Sequence, residues 1–348
     1  MNIALLGFGT VGRGFYELLT ERPLSLNICA VLARRPLEGL NCMVTSDFYK
    51  ILNEADADII VEAMGGLEPA HEYICAALRA KKHVVTANKQ LMCAYYDELT
   101  ALARENGVSL RCTAAAGGGI PWLSSLARAA SVDAIISVSG IMNGTSNYIL
   151  DAMSRRGMDY AAALSDAQRL GYAEADPSFD IDGIDAAHKI SILSSIAFGG
   201  PISFDKAYIE GIRDLQNVDI EFADQLGYRV KLLGITKRRG TGIELRVHPT
   251  LVPERRLLAH VGGVTNAVEV KGDAVGSTLY YGPGAGSEPT ASAMIADIVD
   301  VVRMIGVSSN HQVPVLGYKR KIENVDVLPM GETVCSYYLR IGVTDSPG

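Results

Sequence analysis

The chain is poor in the features that mark a disulfide scaffold, a zinc module, a membrane span or a nucleic-acid binder. Its six cysteines (Cys29, Cys42, Cys75, Cys93, Cys112, Cys335) are scattered, with no CxxC pair. Buried free thiols in a reducing compartment are the plain reading, and a cytoplasmic location is expected. The histidines show no HxxxH or other ligand spacing, which argues against zinc. No run of about 18 apolar residues exists, so no transmembrane span is expected. Met1 leads straight into strand-like sequence without a basic region or cleavage site, so no secretory leader is expected. Basic residues are not in excess: the net charge is −7. A general nucleic-acid binder would need a basic face, so neither nucleic acid nor a membrane is an expected partner. Internal repeats and low-complexity linkers are also missing.

What is present describes an ordinary globular protein, 48% hydrophobic and 20% charged. Its 348 residues exceed what one core usually covers, so two domains are the default.

The chain opens with an apolar strand over 2–6 and then Gly7-Phe8-Gly9-Thr10-Val11-Gly12, followed by a helix-like run. Strand, G-x-G-x-x-G, helix is the arrangement that lets backbone and a helix N-terminus approach a pyrophosphate. Gly7, Gly9, Thr10, Val11 and Gly12 are therefore candidate cofactor contacts. A second strand over 26–33 ends in Arg34-Arg35, 22 positions after Gly12. An acid there would suit an NAD ribose; arginines suit the 2′-phosphate of NADP, although a solvated basic turn is the plainer alternative. Strands over 58–63, 83–87 and 108–113 alternate with helices over 69–80 and 95–105. This predicts a parallel sheet with ligands at its C-terminal edge. Three segments fall there: 64–66, 86–89 and 114–119. Lys89 is the charged residue among them, and it could touch phosphate, touch substrate, move a proton, or simply face solvent.

After 132 the pattern changes. A strand over 133–141 ends in the polar turn 143–147, which can cap a helix over 148–153. A helix over 160–170 leads to the stretch GYAEADPSFDIDGIDAAHK at 171–189, and a helix runs over 184–198. Strands over 229–236, 243–251, 266–270 and 274–281 suggest a mostly antiparallel sheet. The glycine-rich loop 282–286 precedes a helix over 290–305.

The 171–189 stretch carries five acids, Glu174, Asp176, Asp180, Asp182 and Asp185. Asp185 and Lys189 share one face of a helix that otherwise reads as buried. An exposed pair of this kind would contribute only about 0.3–0.5 kcal/mol; a buried one beside further carboxylates is a site candidate. Asp176 and Asp182 read as a turn residue and a helix N-cap.

Four stretches in this order, GFGTVG, HVVTANK at 83–89, the 171–189 stretch and YYGPGAGSEPTASA at 280–293, resemble the homoserine dehydrogenase family. The resemblance spans residues 1 to about 325. It implies an NAD(P)-dependent oxidoreductase acting on a CH–OH group and interconverting L-homoserine and L-aspartate 4-semialdehyde, a step of threonine and methionine biosynthesis. NADP(H) is the expected cofactor, with NAD(H) possible. The implied fold is α/β: an N-terminal Rossmann dinucleotide-binding domain (1–130) plus an α+β substrate and dimerisation domain with a mostly antiparallel sheet (131–290). A segment returning to the nucleotide domain (291–330) and a tail (331–348) follow. A homodimer through the second sheet is implied.

Carried over by residue, the resemblance implies that Lys189 exchanges the proton at the substrate oxygen. Asp185 holds substrate or orients that lysine. Lys89 contacts substrate and cofactor and shares the acid–base role. Glu174 and Asp180 face the substrate ammonium group. Gly144, Thr145 and Tyr172 line the substrate, Gly171 and Gly286 approach the nicotinamide, and Thr86 lies beside the cofactor. Backbone carbonyls of Ala116, Gly118 and Ile120 are implied sodium ligands. Two positions depart from the family. Thr113 stands where many members have a glutamate at the sodium site, and Met64 where a small hydroxyl residue is usual. Residues 336–348 resemble the first strand of an ACT regulatory domain, so threonine feedback through such a domain is expected to be absent. An isolated strand of that kind is expected to be poorly ordered or paired with another chain.

Two other readings stand beside this one. A related NADP-dependent reductase of another amino-semialdehyde would share the folds, and Glu174 with Asp180 suits any substrate bearing an ammonium group. A silent dinucleotide sensor would have no need for Lys89, Asp185 and Lys189 together.

Overall fold

The computed structural model describes residues 1–305 and 326–343. Strands β1 (Asn2–Leu6), β2 (Asn27–Leu32), β3 (Met43–Thr45), β4 (Ile59–Glu62), β5 (His83–Thr86) and β6 (Leu110–Arg111) alternate with helices α1 (Thr10–Glu21), α2 (Phe48–Glu54), α3 (Ala70–Arg79) and α4 (Lys89–Glu105). The strands form one sheet in the order β3-β2-β1-β4-β5-β6. Every pairing in it is parallel. β1 and β4 are buried along almost their whole length, as a sheet covered on both faces requires. The strand order reverses between β1 and β4, where an open parallel sheet leaves a ligand crevice beyond its C-terminal edge.

One helix starts earlier than its apolar periodicity predicts. α4 begins at Lys89, because the Asn88 side chain caps it by accepting the Leu91 N–H at 3.1 Å. The backbone breaks at Tyr95 (φ −127°, ψ 18°), where the expected helix was to begin. The polar cap signal, not the hydrophobic pattern, marks the true start.

The second half builds a mixed sheet. Its strands are β7 (Ile135–Ile141), β8 (Tyr208–Ile209), β9 (Tyr228–Arg239), β10 (Gly242–Pro253), β11 (Thr265–Gly272), β12 (Ser277–Pro283) and β13 (Asp326–Leu328). The order is β12-β11-β7-β9-β10-β13, with β8 also on β10. Pairings from β12 to β10 are antiparallel, while β8 and β13 run parallel to β10. Helices α5 (Trp122–Ala129), α6 (Gly144–Arg156), α7 (Tyr160–Arg169), α8 (Ser178–Ile181), α9 (Ile184–Phe198), α10 (Asn217–Gln225) and α11 (Ser287–Ile305) complete the fold. α9 is apolar on nearly every side because it is covered on nearly every side. It packs on β7, β9 and β10 from one side and on α4 and α5 from the other, so it is the joint between the two halves.

α11 closes the first domain. Ala291, Met294, Ile298 and Val301 share one core with Ile3, Leu5, Phe15, Val31, Ile59 and Val61. Ser287 Oγ donates to the Thr10 carbonyl at 2.8 Å, pinning the start of α11 beside the glycine turn. The remainder of the expected returning segment, 306–325, and the end of the tail, 344–348, lie outside the described residues.

Residues 336–343, the described part of the stretch 336–348 read from sequence as an opening strand, carry no regular structure. A strand needs a ladder partner; here side chains hold the segment instead. Tyr338 Oη donates to Asp219 Oδ1 at 3.0 Å, and Arg340 Nη1 meets Asp219 Oδ2 at 3.1 Å on α10.

Candidate active site

The glycine turn has the shape a pyrophosphate needs. A Cβ on Gly12 would fall 2.1 Å from the Gly7 carbonyl oxygen, so that glycine sets how closely α1 meets β1. Nothing lies within 4 Å of where a Cβ on Gly9 would stand. No side chain caps α1, so the N–H groups at Thr10, Val11 and Gly12 keep their hydrogen-bonding capacity for a ligand. These residues fit a dinucleotide. Arg34 and Arg35 follow β2, both exposed, at the end of the strand next to β1.

At the neighbouring strand ends a buried carboxylate organises the loops. Glu62, fully buried at the end of β4, accepts the Thr86 hydroxyl at 2.5 Å and the Met64 and Gly65 N–H groups at 2.7 and 3.1 Å. Thr86 Oγ1 in turn accepts the Asn88 N–H at 2.9 Å. Asn88 Nδ2 donates to the Gly66 carbonyl at 2.6 Å. This relay fixes Asn88, and Asn88 starts the helix that carries Lys89. Thr86 is therefore occupied as part of the support beneath the cofactor crevice.

Asp185 is the centre of a buried charge cluster. It is 5% exposed and Lys189 is 8% exposed. Lys189 Nζ donates to Asp185 Oδ2 at 2.7 Å and to the Met142 carbonyl at 2.6 Å. Lys89 Nζ pairs with the other oxygen, Oδ1. Burial alone would raise the Asp185 pKa, but the Lys189 and Lys89 ammonium groups outweigh it and hold the carboxyl well below the usual range. Asn143 Nδ2 donates to Asp185 Oδ2 at 2.9 Å and to Asp180 Oδ1 at 2.7 Å, while its Oδ1 accepts the Ser146 N–H at 2.8 Å and caps α6. β7 thus delivers Asn143, α9 delivers Asp185 and Lys189, and α4 delivers Lys89 from the other domain.

Aromatic rings wall this centre. Lys89 Nζ lies 5.0 Å from the centre of the Phe179 ring. His188 is stacked between Phe179 and Phe204, at 5.5 and 4.1 Å. Burial, and then the nearby Lys89 charge, lower the His188 pKa, so the imidazole is a neutral wall at neutral pH.

Other sequence candidates are placed less centrally. Thr145 Oγ1 donates to the Tyr172 carbonyl at 2.6 Å, tying the start of α6, with Gly144, to the loop that holds Gly171 and Tyr172. Gly286 immediately precedes α11 beside the Ser287–Thr10 contact. Glu174 is exposed; its backbone carbonyl accepts Gln168 Nε2 at 3.1 Å. Asp176 makes the expected turn, accepting the Ser178 N–H at 3.1 Å. Asp182 is not the N-cap of α9. That position is Gly183, in the left-handed region (φ 84°), and Asp182 pairs with Arg213 instead. Asn143, Glu62 and Asn88 escape sequence reasoning because each looks like an ordinary cap or strand end, and only tertiary packing gives them second partners.

The implied sodium segment supplies a neutral donor set. The Ile120 carbonyl accepts the Trp122 N–H at 2.7 Å. Thr113 brings no carboxylate, and the nearest buried one, Asp297, accepts the Thr113 N–H at 2.9 Å. A sodium site with a carboxylate ligand does not fit these residues.

Comparisons with known proteins point to one family. A family model described as homoserine dehydrogenase matches residues 121–299, and one described as homoserine dehydrogenase, NAD binding domain, matches residues 7–113. The homoserine dehydrogenase of Neisseria gonorrhoeae is 45% identical over all of this chain and 83% of its own length. A solved homoserine dehydrogenase from Thiobacillus denitrificans superposes with a TM-score of 0.89 at 46% identity, covering 96% of this chain and 80% of that one. A hyperthermophilic archaeal homoserine dehydrogenase solved in complex with NADPH gives a TM-score of 0.75 at 27% identity, covering 87% of this chain and 98% of that one.

Proposed function

This chain belongs to the homoserine dehydrogenase family, and we propose that Lys189 and Lys89, bridged by Asp185, form its acid–base centre. The activity is that of the family: NAD(P)-dependent interconversion of L-homoserine and L-aspartate 4-semialdehyde. The bound nicotinamide accepts or supplies the hydride. What this chain must supply is a proton at the substrate oxygen and sites for a zwitterion.

One observation carries the assignment: Asp185 is held ionised between two ammonium groups. It therefore has no proton to give near neutral pH, and the donor is a lysine. Lys189 uses two of its three N–H groups on Asp185 and Met142, leaving a third for the aldehyde oxygen during reduction. In oxidation the same lysine takes the proton back, and Asp185 orients it in both directions. Lys89, partly buried against Phe179, contacts substrate and stabilises the charge developing on the oxygen. Asp180, joined to Asp185 through Asn143, faces the substrate ammonium group, and Glu174 approaches it from the loop.

NADP(H) is the preferred dinucleotide. Support comes from Arg34 and Arg35, which have no ion-pair partner among the described residues and stand where a 2′-phosphate would arrive. The enzyme is a homodimer through its second sheet, supported by the edge strand β12, which among the described residues pairs only with β11 and leaves Tyr281 71% exposed. No described helix is long and apolar enough to cross a membrane. The six free thiols suit a cytoplasmic enzyme.

The test is initial rates with L-homoserine against NADP+ and NAD+, for the parent and for Lys189→Ala and Lys89→Ala. Lys189→Ala should lose about 10²–10⁴-fold in kcat while still folding and binding dinucleotide. Near-normal turnover by a folded Lys189→Ala variant would remove the assignment.

A further inference from the structure

Away from the catalytic centre, α3 and α4 bring together three side chains of metal-ligating type. His71 and Cys75 are four residues apart on α3 and so share a face. Glu98 comes from α4, three residues past the break at Tyr95. His71 Nε2 is 3.2 Å from Glu98 Oε1, Cys75 Sγ is 3.5 Å from His71 Nε2, and Cys75 Sγ is 3.8 Å from Glu98 Oε1. All three ligand atoms lie within 4.8 Å of one another.

These separations, 3.2 to 3.8 Å, lie within a few tenths of an ångström of one face of a tetrahedral metal site. Bonds of about 2.3 Å to sulfur and about 2.0 Å to nitrogen or oxygen place ligand atoms about 3.3–3.6 Å apart. A divalent ion can enter between the three atoms with small side-chain adjustments. We infer that His71, Cys75 and Glu98 form a binding site for a single zinc-class divalent cation, with water as the fourth ligand, clamping α3 to α4.

Further features fit a metal better than a chance cluster. His71 Nδ1 lies 3.4 Å from Glu68 Oε1. A carboxylate behind the ligating ring fixes the tautomer that turns Nε2 toward the ion. The Tyr95 ring stacks on His71 at 4.0 Å and holds its plane. Glu68 and Glu98 have no lysine or arginine ion-pair partner among the described residues, and both face His71; Arg79 is close enough to act on Cys75 through its charge, which favours the thiolate a metal needs. The donor set is mixed nitrogen, sulfur and oxygen, which favours zinc over magnesium or calcium. In the metal-free state the Cys75 thiol donates to Glu98; on binding, that proton passes to solvent and the thiolate takes the metal. The sequence conceals the site because the ligand pair on α3 is His-x-x-x-Cys, not a pair of histidines or cysteines, and the third ligand is 23 residues further on.

The experiment uses the full chain, stripped with chelator and titrated with Co2+ and then Zn2+. One equivalent of Co2+ should produce a thiolate charge-transfer band with tetrahedral visible bands, and Zn2+ should displace it. Cys75→Ser should abolish the charge-transfer band, and Glu98→Gln should weaken binding at least about tenfold, each with an unchanged circular dichroism spectrum. Glu98 is exposed, so its variant tests the site even if Cys75→Ser fails to fold. No cobalt band at one equivalent, or a band that survives Glu98→Gln at full affinity, would overturn the site.

Discussion

Lys189 Nζ donates to Asp185 Oδ2 at 2.7 Å across a single turn of α9, with both side chains almost closed to solvent. In solvent such a pair would contribute a few tenths of a kcal/mol. Here the second Asp185 oxygen is taken by Lys89 from the other domain, so the carboxylate ties the halves of the molecule together.

Asp185→Asn leaves two buried ammonium groups without their anion. Removing one partner of a buried pair costs about 3–5 kcal/mol. The Asp185 pKa is depressed on folding, so its contribution is complete above the unfolded value of about 3.9 and is lost as pH falls through the folded value. Urea denaturation at neutral pH should show the full deficit in the variant, and the gap should narrow only below about pH 4. A gap independent of pH would mean that the ion pair is not its source.

Lys189→Arg separates charge from proton transfer. A guanidinium keeps the positive charge beside Asp185, but its pKa of about 12.5 or more makes it a poor proton donor. Fold and dinucleotide affinity should be retained while kcat falls by about 10²-fold or more. Stopped-flow binding of the reduced dinucleotide, set beside steady-state rates, reads the two effects apart.

The two later glycines of the opening motif should respond differently to alanine. At Gly12 the new Cβ would meet the Gly7 carbonyl at 2.1 Å, so α1 must move, and overpacking of this kind costs about 1–3 kcal/mol. At Gly9 the space is open and the backbone (φ −81°) is one that alanine adopts. Gly9→Ala should melt as the parent does yet lose dinucleotide affinity by at least about tenfold, or about 1.4 kcal/mol. Thermal melts with and without NADP+ make the comparison.

The same contrast shows what the sequence could reveal. Strand, G-x-G-x-x-G and helix stand in consecutive residues, so the parallel nucleotide sheet could be read directly; its strand order, the three-residue β3 and the short α2 could not. Asp185 and Lys189 were legible because they share a helix face. Lys89 could be placed at a strand end, but its partner 96 residues away could not. Asn143 reads only as a helix cap; its bonds to Asp180 and Asp185 depend on β7 meeting α9. Glu62 is a strand-end acid until β5 sets Thr86 against it. The start of α4 was misplaced because its cap is polar and its break at Tyr95 interrupts the periodicity.

Arg34 and Arg35 test the cofactor preference. A hydrogen bond to a charged group contributes about 1.5–3 kcal/mol, or roughly 10–100-fold. Arg34→Ala combined with Arg35→Ala should lower kcat/KM for NADP+ by that factor and leave the value for NAD+ within about twofold. Loss with both dinucleotides alike would place the arginines in folding or in pyrophosphate binding.

Asp297 on α11 offers a stability change of opposite sign. It is 2% exposed, and burial raises its carboxyl to about 6, against the opposing hydrogen bond from Thr113. A carboxyl with a raised folded pKa binds more protons in the native state. Stability therefore falls as pH climbs from about 3.9, the unfolded value, through about 6. The shift of roughly two units corresponds to a cost of about 3 kcal/mol at neutral pH. Asp297→Asn keeps an oxygen for the Thr113 N–H and removes the charge. It should unfold at higher urea than the parent at pH 7.5, with the advantage shrinking between about pH 6 and 4 and gone below. A variant less stable than the parent at pH 7.5 would show that the ionised carboxylate is satisfied by a partner that offsets its burial.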